Sequence, residues 1–273
     1  MDTNMLAKKA LQTRRNIIKM IYFAKTGHTG GSLSSADIMT ALYFDVLNVN
    51  PKNPKDPDRD YFILSKGHCV EAYYSVLAER GFFPEAELMS FSQPGSSLLG
   101  HPSNKVPGIE MNTGALGHGL PIGVGAALGL KRQRRNNRVF VLMGDGEQEE
   151  GSIWEALMAG ANYKLDNLTA IVDRNFLQIS GNTEDVMALE NLKDKYISFG
   201  WMVREIDGND MIQIVHALKT AHIGKPLLVL AKTIKGKGVR EMENQAKWHH
   251  GVPDEALYRS ALSQFDECEK ELE

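Results

Sequence analysis

The stretch VLMGDGEQEEGSIWEA, residues 141–156, decides how the chain reads. A run of apolar residues, Val139 to Met143, has the length and β-branched character of a buried strand and stops at Gly144-Asp145-Gly146. A glycine-flanked aspartate at a strand end is either a turn or a place where a ligand meets the main chain. Four acidic side chains then follow within ten residues, Glu147, Glu149, Glu150 and Glu155, where a helix over about 151–163 should begin. One carboxylate can hold a cation. The rest need another purpose.

Working outward, strand-like runs alternate with helix-like ones. DYFILS (60–65), VFVLM (139–143), LTAIVD (168–173), WMVREI (201–206) and PLLVLAKT (226–233) read as strands. Helices are expected over the first 26 residues, from Ile38 to Leu47, from Glu71 to Arg80, and over about 120–135, 151–163, 188–199 and 210–222, with a C-terminal helical tail at about 253–273. Ser34, Ser35 or Asp37 are candidate caps for the second helix. PKNPKDPDRD must be an exposed loop, and residues 91–119 form a long glycine-rich loop region. Such alternation predicts an α/β protein with a mainly parallel sheet flanked by helices, in a single domain spanning 1–273.

With 273 residues, 42% hydrophobic and 24% charged, the chain can bury a substantial core. A formal net charge of −3 argues against a nucleic-acid partner. Two cysteines, Cys69 and Cys268, make no disulfide or zinc framework, and no apolar run is long enough for a bilayer. A reducing cytoplasm is the expected compartment.

In parallel sheets, ligands bind beyond the carboxyl ends of strands. Asp145 ends one strand and Asn175 follows the next, so both should face one crevice. A carboxylate with an amide oxygen suits Mg²⁺ or Ca²⁺, with other positions left for phosphate and water. The nearby helix start and glycines would admit a diphosphate. Neither a P-loop nor a GxGxxG opens this helix. Lys235-Gly236-Lys237-Gly238 follows another strand end and could add positive charge. His28, His68, His101 and His118 each follow a glycine, and His249-His250 make a further loop site. Loop histidines that converge suit acid–base chemistry. The absence of HxH, HxxxH and HExxH argues against zinc.

Taken together, GDGEQEEGSIWEA…LDNLTAIVDRNFLQ resembles the thiamine diphosphate motif, and GHTGGSLSSADI, LSKGH, GHP, TGALGHGLPIGVGAALG, KTIKGKG and WHHG make the chain similar to the transketolases from about residue 25 to 251. The resemblance implies the three-layer thiamine diphosphate-binding fold and covers only the diphosphate-binding domain. It therefore implies the N-terminal subunit of a split transketolase, inactive alone, with a C-terminal partner subunit supplying the pyrimidine-binding and C-terminal domains in an α₂β₂ assembly. The implied activity is transfer of a two-carbon ketol unit from a ketose phosphate to an aldose phosphate.

By the same resemblance, Asp145, Asn175 and the carbonyl of Leu177 would hold Mg²⁺, with Ca²⁺ or Mn²⁺ as alternatives. Gly114, Ala115, Leu116, Gly146, His68, Asn175, Lys235, His249 and His250 would meet the cofactor. His28, His68, His101 and His249 would be catalytic, and Glu150 and Glu155 would lie at an interface between active sites. Phe176 stands where a smaller or polar residue is common and is expected to crowd the metal loop. Alternatives are the α subunit of a 2-oxo acid dehydrogenase, a fragment of a deoxyxylulose phosphate synthase and a non-catalytic homologue. The GH, LSKGH and WHHG segments argue against the first.

Overall fold

The computed structural model describes residues 2–272; the ends of the expected domain and tail, Met1 and Glu273, lie outside the described residues. Five strands, β1 (Tyr61–Leu64), β2 (Val139–Gly144), β3 (Leu168–Arg174), β6 (Met202–Asp207) and β7 (Leu227–Lys232), form one parallel sheet in the order β1-β2-β3-β7-β6. A short hairpin, β4 (Leu177–Gln178) with β5 (Gly181–Asn182), projects after β3 and runs straight into a single helical turn, α6 (Thr183–Val186).

Because side chains alternate across a strand, each strand feeds two cores. Phe62, Phe140, Leu142, Ile171 and Val229 face one side, where α1 (Thr3–Ala24), α2 (Thr29–Ala41), α3 (Val70–Arg80), α8 (Met211–Leu218) and α9 (Glu255–Glu271) pack. Ile63, Val141, Met143, Ala170, Val172 and Leu228 face the other, covered by α4 (Gly119–Arg132), α5 (Gly151–Asn162) and α7 (Leu192–Ser198). The result is a three-layer α/β fold. Over β1, β2, β3 and β7 both faces of the sheet are buried, which is why these strands read as unbroken apolar runs, whereas the edge strand β6 exposes Arg204, Glu205 and Asp207.

The strands fall within a residue or two of their expected places. Several helices do not. The second begins at Thr29, not Ile38, and continues through a π-helical turn at Leu42–Val46. The glycines that read as a break serve close approach instead: a Cβ on Gly31 would lie 2.5 Å from the Cys69 sulfur, and one on Gly30 2.8 Å from the Trp248 carbonyl. The candidate caps therefore lie inside the helix. Ser34 and Ser35 donate to Gly31 O and to Asp173, and Asp37 binds Arg14 in a bidentate pair at 2.9 and 2.6 Å.

The helix expected over 188–199 starts only at Leu192, because the Glu184 carboxylate takes the amides of Leu189 and Glu190. The one expected over 210–222 ends at Leu218, where the Thr220 hydroxyl donates to the His216 carbonyl. The C-terminal helix is amphipathic rather than wholly superficial, burying Ala261 and Phe265.

Candidate active site

Parallel pairing of β2 with β3 aligns Gly144 with Asp173, so the turns that leave both strands open on the same edge of the sheet. Asp145 and Asn175 follow directly and are both buried. A cleft of ≈ 370 Å³ lies over them, and its lining includes Asp145, Asn175, Leu177, Lys235, His28 and His249.

At its floor, Asp145 accepts N–H groups from Gly146 at 2.9 Å and Phe176 at 2.6 Å, with the Arg174 guanidinium at 3.4 Å. Burial and then the neighbouring Asp173 push its carboxyl up, against the pull of Arg174 and the two amides. Such a carboxylate is short of positive charge. Asn175 gives its Nδ2 to Asp173 at 3.2 Å and receives Leu177 N on Oδ1 at 3.1 Å, which fixes the amide. The Leu177 carbonyl accepts the Lys235 ammonium at 2.9 Å. An oxygen already engaged by a cation, an amide oxygen and an under-compensated carboxylate are hard donors suited to Mg²⁺. Gln178 Oε1, on the same wall, is buried without a hydrogen-bond partner among the described residues. These residues fit a divalent cation with a diphosphate. Among the described residues no three His, Cys, Asp or Glu side chains are grouped as a metal-binding set.

Phe176 does not crowd this loop. Its backbone takes φ 66° and its ring lies over the Arg174 guanidinium, 4.1 Å from centroid to carbon.

Above the floor the histidines gather. The His28 ring centroid lies 5.0 Å from His68, 5.7 Å from His249, 6.4 Å from His101 and 4.7 Å from His250, and His68 stacks on His249 at 5.2 Å. Burial, reinforced by the surrounding cations and imidazoles, holds His28 down at about 4, His249 at about 3 and His68 at about 2. Burial also lowers His101. The rings are therefore neutral at pH 7, able to accept a proton or share one through a hydrogen bond. His249 Nδ1 is 3.2 Å from the Lys235 ammonium, while His250 turns to Thr26 at 3.5 Å and does not line the cleft.

Other expected residues stand apart. His118 is exposed and binds the Leu116 carbonyl, so it does not join the cluster. Ala115 is exposed and does not line the cleft, whereas Gly114 and Leu116 do. Of the basic loop, Lys235 enters the cleft and Lys237 does not. Glu150 is exposed at the cleft wall, and Glu155 is exposed on α5.

Sequence reasoning missed three buried groups. Lys66 donates to Gly31 O at 3.1 Å and pairs with Asp173 beneath the floor. Burial opposes its charge, but Asp173 more than offsets this and keeps the ammonium above its ordinary range; Asp173 is correspondingly lowered. Removing one member of such a pair costs about 3–5 kcal/mol. Arg174 gathers Asp145, Glu184 and Glu190 and anchors the hairpin. Glu147, the first of the surplus acids, is wholly internal. Only the LSKGH context hinted at Lys66, and nothing in spacing marked the others.

An oxygen-rich floor for a cation and a diphosphate under a ring of neutral histidines defines a cofactor-dependent enzyme site at strand ends. The comparisons agree with that class. A family model described as the transketolase, thiamine diphosphate binding domain matches residues 7–261. The chain is 49% identical, over all of its length and 98% of the relative's, to one of the subunits of the apulose-4-phosphate transketolase of Phocaeicola vulgatus. It is 39% identical to the 6-deoxy-6-sulfo-D-fructose transketolase subunit SqwG of a Clostridium species, over 94% of the chain and 96% of the relative. It superposes on the transketolase of Campylobacter jejuni with TM-score 0.91 and 32% identity, covering 97% of this chain and 43% of that one. The chain belongs to the transketolase family, in its thiamine diphosphate-binding domain. It spans less than half the length of the Campylobacter transketolase it superposes on.

Proposed function

We propose that the chain is the thiamine diphosphate- and Mg²⁺-binding subunit of a two-subunit transketolase, a single diphosphate-binding domain that needs a partner carrying the pyrimidine-binding and C-terminal domains. The convergence of Asp145, Asn175 and the Leu177 carbonyl with Lys235, beneath His28, His68 and His249, carries this reading. Near-complete coverage of relatives that are themselves named as transketolase subunits supports the division of labour. An α₂β₂ assembly in the cytoplasm follows from the same reading, with Glu150 and Glu155 at the contact between active sites.

When bound, thiamine diphosphate supplies the carbon nucleophile and electron sink that break a carbon–carbon bond beside a ketose carbonyl. This chain's own residues do the holding and the proton work. Asp145, Asn175 and Leu177 O hold the metal, and Lys235 neutralises diphosphate charge. Gly114, Leu116 and Gly146 line the cleft and would face the cofactor. Neutral His28 and His249 exchange protons with substrate hydroxyls, and His68 and His101 orient them.

The substrate is a ketose phosphate and the acceptor an aldose phosphate, and apulose 4-phosphate, which appears in a relative's name, is the first donor to try. The test is to assay the chain with its partner on apulose 4-phosphate, on xylulose 5-phosphate with ribose 5-phosphate, and on pyruvate. Ketol transfer from a sugar phosphate supports the reading. Turnover of pyruvate alone points to the dehydrogenase or synthase class instead, and no turnover with intact cofactor binding to a non-catalytic homologue.

A further inference from the structure

Glu147 is buried, and its carboxylate joins three segments around the cleft: the stretch after β1, the loop before α4 and the end of β2. Oε1 accepts the Ser65 hydroxyl and the Gly117 N–H, the latter at 2.9 Å, while Oε2 accepts the Gly144 N–H at 2.9 Å. Ser65 in turn receives the Gly119 N–H at 3.1 Å, so the start of α4 hangs on the same group. The clamp has a second jaw. Ser152, in the first turn of α5, donates to the Gly117 carbonyl at 2.8 Å. Gly117 itself takes φ +79°, and a Cβ there would lie 2.5 Å from that of Glu150. Both polar groups of this one peptide residue are held by the segment that follows Asp145, and no side chain could replace its hydrogen.

We infer that Glu147 and Ser152 are positioning residues that lock the Gly114–Gly119 loop onto the floor of the cleft, setting the wall formed by Gly114 and Leu116 in register with Asp145. This rests on the reading of the cleft as a thiamine diphosphate site. The acid crowding after Gly-Asp-Gly thereby gains a use distinct from metal binding: one glutamate fastens the loop that faces the cofactor ring.

The isostere Glu147→Gln discriminates sharply. Each carboxylate oxygen meets a main-chain N–H, so in either flip an amide NH₂ is set against Gly117 N–H or Gly144 N–H, leaving buried donors unpaired. Hydrogen exchange of the Gly117 and Gly119 amides is measured in wild type, Glu147→Gln and Ser152→Ala, together with titrations of thiamine diphosphate and of inorganic diphosphate, all with Mg²⁺. Ser152→Ala removes the second jaw at the helix surface and serves if the glutamine variant does not fold. The expected result is exchange about tenfold faster at these two amides, with strand β2 still protected. Thiamine diphosphate affinity should fall about tenfold while that for inorganic diphosphate changes less than about threefold. Unchanged exchange at Gly117, or equal loss for both ligands, overturns the inference. A wild-type chain that binds neither ligand when assembled with its partner overturns the cofactor reading and leaves the exchange data to judge the clamp.

Discussion

Lys235 donates its ammonium to the main-chain carbonyl of Leu177 at 2.9 Å, and so occupies one of the oxygens assigned to the metal. Burial lowers this lysine from its ordinary range, yet it remains the positive group nearest the floor carbonyl. A metal ion bound at this oxygen would repel the adjacent ammonium, which would favour its turning toward a diphosphate. Replacing it by methionine should tighten Mg²⁺ alone severalfold and weaken inorganic diphosphate about tenfold. Calorimetric titration of each ligand checks this, and weaker binding of both would show that Lys235 only supports the loop.

The histidines make the fold sensitive to acid. His68 has an ordinary value of 6.5 in the unfolded chain and about 2 in the folded one. As pH falls below 6.5 the unfolded chain takes up a proton that the folded one refuses, so stability is lost progressively, while above 6.5 the group has no effect. His28 and His249 act in the same direction down to about 4 and about 3. His68→Gln should therefore lose less melting temperature than wild type between about pH 7.5 and 5. Parallel curves for the two proteins would contradict the neutral, buried placement of this ring.

Glu71 works in the opposite sense. It lies under the cluster, accepting the His28 N–H at 2.8 Å and the Ser32 hydroxyl at 2.7 Å, with no cationic partner among the described residues. Burial raises it to about 7, against those two hydrogen bonds. The unfolded carboxyl ionises near 4.5 and the folded one only near 7, so stability falls as pH rises through that interval. Glu71→Gln can still accept from His28, and its amide can donate to Ser32. Its melting temperature should gain on wild type as pH rises from about 5 to 8, and a constant offset would mean the carboxyl is ionised throughout.

Partner dependence gives a fourth expectation. Ketol transfer by the purified chain should be undetectable and should appear when the pyrimidine-binding partner is added, as measured by release of the aldose product. Full activity of the chain alone would place the whole catalytic apparatus within it.

Much of this was legible in the sequence because strand ends are local. The apolar runs buried on both faces located β2 and β3, and adjacency of consecutive strands brought Asp145 to Asn175. The residues that failed were those whose role depends on distant contacts. Gly30 and Gly31 read as a helix break because nothing local shows that Cys69 and Trp248 press against them. His118 shares its glycine context with the clustered histidines but precedes α4 facing outward. Glu147 could not be told from its acidic neighbours, since its partners Ser65 and Gly117 come from other segments. The pairing of Lys66, just past β1, with Asp173 on β3 was equally invisible, though the LSKGH context hinted at the lysine.

The most direct test of the central claim is calorimetric titration of thiamine diphosphate, with and without Mg²⁺, into wild type and Asp145→Asn, each assembled with its partner. Binding that requires Mg²⁺ and weakens by about a hundredfold or more in the variant is the predicted result. Equal affinity in the variant, or wild-type binding indifferent to the metal, would contradict it.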